Sequence, residues 1–164
     1  MPRAKSSKRT SKLAMVPTQV PEGRSASDII ISASEEELEE YTSQEKQFLF
    51  RVKPWGTEVS RIWLYIKDPV KSVTHVATVG KTKVKGELDE DVKNGAAFNK
   101  GSLHGGRGAY RAAYEILSMS ELEDPMAYSH LIEKKYTRAI GNANVYVCDP
   151  MVEELEAIES TELF

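Results

Sequence analysis

Apolar and polar positions alternate most clearly between Phe48 and Val79. Phe48, Phe50 and Val52 alternate with Arg51 and Lys53, and Ile62, Leu64 and Ile66 alternate with Arg61, Trp63, Tyr65 and Lys67. Strand side chains point to opposite faces in turn, so each run predicts a strand with one plain apolar face. The opposite face sets cations beside aromatic rings, a combination suited to a phosphate next to a base. The pattern predicts strands near 47–53, 61–67, 72–79 and 83–88. Pro54-Trp55-Gly56 breaks the first pair and Asp68-Pro69 turns between the next.

Outside this stretch the signals are local. Ser34 followed by Glu35-Glu36-Glu37 has the form of a capping box, with Ser34 at the N-cap and Glu37 at N3, and predicts a short acidic helix to about Ser43. Residues 94–108 are glycine-rich, and 101–108 reads as a flexible surface loop. Ala112 to Met119 reads as a strand. Asp124-Pro125 predicts a helix from Met126 to about Tyr136, Asn144 to Cys148 closes the strand set, and Pro150 opens an acidic terminal helix. No internal repeat is present. Five or six strands with two or three short helices predict a small α+β fold with a barrel-like sheet.

The chain has 164 residues, enough for one domain with tails. Residues 1–33 are polar and read as a disordered basic N-terminal tail. Residues 34–149 read as the folded domain, and 150–164 as an acidic C-terminal tail or helix. The net charge of −3 conceals an asymmetry: residues 1–12 carry five cations and no acid, whereas the residues from Pro150 carry five glutamates and no base. An acidic balance argues against bulk coating of DNA, so any nucleic-acid contact must be local. Lys5, Lys8, Arg9 and Lys12 suit a nuclear-import signal, a phosphate-attracting arm or simply a solvated tail. No run approaches the ~18 apolar residues of a membrane span, so no membrane partner is expected. One cysteine, Cys148, forbids an intramolecular disulfide and fits an intracellular setting, with the nucleus as one candidate compartment.

Motifs for chemistry are sparse. His75, His104 and His130 are far apart and no CxxC or HExxH spacing occurs, so no metal site and no cofactor are expected. His75 reads as a structural strand residue and Cys148 as core. Gly101-xxxx-Gly106 lacks the Lys-Ser/Thr of a phosphate loop, and Leu103-His104-Gly105-Gly106 has no partner elbow. Lys100, His104, Arg107 and Arg111 nevertheless make this segment basic, able to clamp a phosphate backbone. Trp55, in a Pro-Gly turn after a strand bearing Arg51 and Lys53, suits a base-stacking platform or a lid on the core, with the platform ahead because of those cations. Trp63 and Tyr65, mid-strand, suit either the far wall of a pocket or a second core under a helix.

The string Arg61 to Val79 (RIWLYIKDPVKSVTHVATV) resembles the second and third strands of ASCH (activating signal cointegrator homology) domains. Phe98-Asn99-Lys100-Gly101 followed by Ala113-Tyr114-Glu115-Ile116-Leu117 resembles that family's short helix and next strand. Ser120 to Pro125 resembles its acidic connection to the last helix. ASCH domains belong to the PUA-like superfamily, with EVE and YTH domains. The resemblance, over about 46–149, implies a small PUA-like β-barrel with flanking helices and a cleft that binds RNA or receives a modified base. Where the family carries G-x-K-x-x-E-x-R, this chain has Phe50-Arg-Val-Lys-Pro-Trp55, and Trp55 there resembles the aromatic pocket residues of EVE- and YTH-like relatives. The resemblance implies Lys53, Trp55 and Tyr65 as cleft residues, with Arg51 and Arg107 as phosphate contacts.

The leading expectation is a non-enzymatic nucleic-acid-binding module with no catalytic residue, reading RNA before DNA. One alternative is a metal-free ribonuclease using Lys53, Tyr65 and Ser60 or Ser102. Another is a coactivator-like adaptor that binds a protein partner through its charged tails.

Overall fold

The computed structural model describes residues 20–136 and 145–164. In chain order the elements are β1 (Arg24–Ala33), α1 (Glu35–Thr42), β2 (Phe48–Arg51), β3 (Arg61–Ile66), β4 (Ser72–Val79), α2 (Gly95–Lys100), β5 (His104–Gly105), β6 (Gly108–Ala109), β7 (Ala112–Ala127), α3 (Tyr128–Glu133), β8 (Val145–Cys148), α4 (Asp149–Glu156) and β9 (Ser160–Glu162). Seven strands form one mixed sheet in the order β2-β7-β4-β3-β1-β8, with β9 also on β7, and β5 and β6 form a separate hairpin.

The long strand β7 organises this sheet. Its first residues, Ala112 to Glu115, pair with β2, and from Ile116 onward it pairs with β4. β9 pairs with Ser120 to Leu122, so β2 and β9 use successive stretches of the same strand. Register shifts in the β4–β7 ladder bend the sheet at two places. The α+β class is as expected, but the sheet stays open instead of closing into a barrel.

Strand alternation then sorts side chains into separate cores. Ile62, Leu64 and Ile66 of β3 join Ile29, Ala77, Val79, Tyr114 and Met119 on one face, with Tyr41 of α1 over them. Trp63 and Tyr65 join Ile30, Val73, Leu122, Leu131, Met151 and Leu155 on the other, beneath α3 and α4. Phe48 packs with Phe98, Leu88 and Ala113 in a third cluster against α2. β2 and β3 are not neighbours, so their apolar faces do not share one core.

Several expectations need correction. Residues 24–33 are not tail: β1 lies between β3, parallel, and β8, antiparallel. Its Ile29 and Ile30 are buried on opposite faces. Residues 1–19 lie outside the described residues. The strand expected at 83–88 is a single bridge between Lys83 and Ala113. The helix expected from Met126 begins at Tyr128, because β7 runs through Pro125. Residues 122–125 fall between Glu121 and Met126, where the β4 ladder is interrupted, and a proline costs no ladder bond at such a point. The glycine-rich segment holds α2 and a hairpin, with the Asn99 side chain bonded to Gly86 and Leu88. The terminal segment is the helix α4, with proline in its first turn, followed by β9. The capping box at Ser34 is present in both directions.

A buried carboxylate ties β1 to β3. Asp28 is 2% exposed. It accepts from Arg61 Nε at 2.7 Å, Trp63 Nε1 at 2.9 Å and Ser25 Oγ at 2.7 Å. Arg61 also reaches Glu156 of α4 at 2.8 Å. Burial alone would raise the Asp28 pKa, but these hydrogen bonds and the Arg61 charge hold it below the usual carboxylate value. A second polar clamp joins α3 to α4. His130 Nε2 lies 2.6 Å from Glu154 Oε2, and the Tyr136 hydroxyl donates to the other oxygen. Glu154 is thereby held low, mainly by the Tyr136 bond, and Tyr136 is pushed up to about 12.

Candidate nucleic-acid interface

The segment between β2 and β3 carries the chemistry that the sequence singles out. β2 ends at Arg51 and β3 begins at Arg61, so Trp55 sits in the loop between them. Its ring packs against Tyr114 of β7, with centroids 4.6 Å apart at 43°. Its backbone N–H donates to the Tyr114 hydroxyl at 3.0 Å. Two residues on, Thr57 Oγ1 donates to the Ala26 carbonyl of β1 at 2.7 Å and lies 3.1 Å from the Tyr146 hydroxyl of β8. The loop thus runs from β2, at one end of the sheet order, to β8 and β1 at the other.

Arg51 completes the cluster. Its guanidinium carbon stands 4.4 Å from the Trp55 ring centroid, within cation–π range. Its Nε donates to the Lys53 carbonyl at 2.9 Å, which fixes the head group over the indole. Burial lowers the Arg51 pKa, and the Tyr114 and Tyr146 phenols act against that shift. An arginine so placed stays charged at physiological pH. Arg24 Nη1 donates to the Tyr146 carbonyl at the same junction. The Trp55 indole N–H is buried and has no hydrogen-bond partner among the described residues. Trp55 is half-buried and packs against the first core, so this N–H faces protein rather than solvent.

Further cations stand nearby. Lys53 is exposed beside Arg51. Arg111 is exposed and its backbone N–H donates to the Arg51 carbonyl at 2.9 Å. Tyr110 stacks on Phe50 at 5.8 Å, which anchors the β5–β6 hairpin to β2. Arg107 lies exposed at the tip of that hairpin. Beyond the loop, Glu58, Ser60, Lys81 and Thr82 line an open groove of about 530 Å³.

Of the residues named from sequence, Arg51, Lys53 and Trp55 come together. Arg107 belongs to the adjoining hairpin and makes no recorded contact with Trp55. Tyr65 does not join them. It is 7% exposed, lies in the core under α3 and α4, and has its ring 5.9 Å from Tyr128. The reason is the alternation within β3, which sends Trp63 and Tyr65 to the face away from Leu64. Tyr65 therefore cannot serve with Lys53 in one cleft, and the Lys53/Tyr65/Ser constellation does not assemble. Sequence reasoning misses Tyr114, Tyr146, Thr57 and Arg24. Each has only a lone polar or aromatic position in a short run as its signal, and their meeting depends on strand order.

The described residues contain no group of three or more His, Cys, Asp or Glu able to hold a metal. Cys148 is a half-buried free thiol packed against the second core. Among the described residues no helix is long and apolar enough to cross a membrane.

The fold is that of an ASCH domain. It is similar to crystal structures of ASCH from Zymomonas mobilis. A serine-to-alanine variant of that protein matches with a TM-score of 0.60 at 16% identity, covering 83% of this chain and 99% of that one. The parent ASCH structure matches with a TM-score of 0.56 at 17% identity, covering 82% and 98%. A tyrosine-to-phenylalanine variant matches with a TM-score of 0.54 at 16% identity, covering 80% and 99%. No family model matches the chain, and no curated protein matches it in sequence.

Proposed function

We propose that this protein is a nucleic-acid-binding module, that RNA is its preferred polymer, and that the Trp55 cleft receives a base, modified bases included. The observation that carries this reading is the Arg51 guanidinium held 4.4 Å over the Trp55 ring, with Tyr114 also against that ring. By taking the guanidinium's place on the indole, a base gains about 1–3 kcal/mol from stacking. Arg51 stays charged, and Lys53 and Arg111 beside it offer cations for flanking phosphates. The ASCH fold supports the same direction, since its resemblance to PUA-like domains implies binding of RNA or of a modified base flipped from DNA or RNA.

The experiment is a binding titration of labelled single-stranded RNA with the intact protein and with Trp55→Ala, Lys53→Ala and an exposed control, Lys93→Ala. Both cleft variants weaken binding while the control does not. Equal affinity for all four proteins would refute the assignment of this cleft.

A further inference from the structure

A second recess lies on the molecule between α1 and the strands β3, β4 and β7. It has a volume of about 450 Å³, and the residues that matter in its lining are Glu35, Glu39, Val70, Thr74, His75, Glu121 and Leu163. Its floor is built by a bulge. In the β3 ladder Tyr65 pairs with Val73 and Leu64 with His75, so Thr74 is an extra residue. The β7 ladder skips the same residue. A bulge re-aims side chains, and here it brings neighbours that would face apart together, with Thr74 Oγ1 2.6 Å from His75 Nδ1.

The lining is unusual in charge. Asp28, Thr74 and His75 are the buried polar or charged side chains among the described residues, and two of the three are in this floor. His75 is 6% exposed. Its Nε2 has no hydrogen-bond partner among the described residues. Burial lowers the His75 pKa, with Glu121 acting against that shift. Glu35, Glu39 and Glu121 are all exposed at the rim, and none forms an ion pair among the described residues. Val70 at 37% and Leu163 at 40% are large apolar side chains left exposed beside them. Carboxylates at a rim and an apolar wall suit a side chain with an apolar stem and a cationic head.

We propose that this recess binds a basic peptide segment, and that its occupant is the chain's own N-terminal stretch around Lys5, Lys8 and Arg9. Charge complementarity carries the choice: residues 1–19 hold five cations and no acid. Reach allows it. β1 starts at Arg24 and ends at Ala33, where α1 and the recess begin, about 30 Å away at strand rise. Lys8 and Lys5 stand 12 and 15 residues before Val20, the first described residue. At full extension those stretches span about 40 and 50 Å. This inference is independent of the nucleic-acid reading.

The test is zero-length carbodiimide coupling on the full chain without nucleic acid, using an equal mixture of isotopically heavy and light protein. The monomer is digested and linked peptides are identified by mass. The expected result is isotopically pure linkage of Lys5 or Lys8 to Glu35, Glu39 or Glu121, weakened at about 1 M salt. Three results would overturn it: no linkage to these glutamates, linkage spread equally to Glu87 and Glu90, or mixed-isotope pairs that assign the occupant to a second copy. Persistence of the linkage undiminished at about 1 M sodium chloride, which screens the same carboxylates, would also overturn it.

Discussion

At Trp55 one indole residue holds three contacts: a guanidinium over its ring, a tyrosine ring against it, and a backbone bond to that tyrosine's hydroxyl. The geometry distinguishes charge from shape at the neighbouring position. Arg51→Lys keeps the charge but loses the planar group that stacks. It is expected to weaken RNA binding less than Arg51→Ala and to retain most of the salt dependence. Isothermal titration at two salt concentrations checks this, and identical losses for both variants would show that charge at this position contributes nothing. Asp28 makes a different prediction. Its folded pKa lies below the ordinary value of 3.8, so it contributes stability that is fully present above that value. The contribution is lost as pH falls from about 4 through the folded pKa. Asp28→Ala leaves Arg61 and the Trp63 N–H without their acceptor and is expected to cost about 3 kcal/mol, the lower end for a broken buried pair because Arg61 is partly exposed. Asp28→Asn should flatten the acid limb of the stability curve. Denaturant melts between about pH 2.5 and 7 measure both, and an unchanged acid limb would remove Asp28 as its source.

Elements differ in how far the sequence announces them. The capping box of α1 is plain, because Ser34 and Glu37 need only each other. Removing it with Ser34→Ala is expected to cost about 1 kcal/mol, read as a lowered urea midpoint at constant slope. β3 and β4 are plain as well, since their alternation is long and regular. β1 is not. Three isoleucines flanked by serines and Asp28 look like a polar tail until both faces of the strand find cores and Asp28 finds Arg61. The end of β7 is equally opaque, because Asp124-Pro125 is a good helix start and becomes a strand only where the β4 ladder is interrupted. The site divides along the same line. Arg51, Lys53 and Trp55 are close in sequence and legible together, whereas Tyr114 and Tyr146 enter through sheet order alone. Tyr65 is misplaced by sequence because β2 and β3 look like sheet neighbours there, yet β7 and β4 lie between them.

At the scale of the whole molecule, an open sheet leaves two different surfaces. One carries Arg51, Lys53, Arg107 and Arg111 around an aromatic cluster, and the other gathers Glu35, Glu39 and Glu121 around His75. A net charge of −3 averages over this division. A localised basic face neutralises few phosphates, so the expected salt dependence of binding is shallow compared with that of proteins making about 6–10 phosphate contacts, which lose roughly 10³–10⁵ in affinity between about 50 and 200 mM salt. Fluorescence anisotropy of matched single-stranded RNA and DNA oligomers at two salt concentrations, with the intact protein and with Trp55→Ala, decides whether the indole binds nucleic acid. The account predicts tighter binding to RNA, weakening with salt, and a loss of about 5- to 150-fold on removing the Trp55 ring. Absence of binding to either polymer, or an affinity for RNA that Trp55→Ala leaves unchanged, would contradict it.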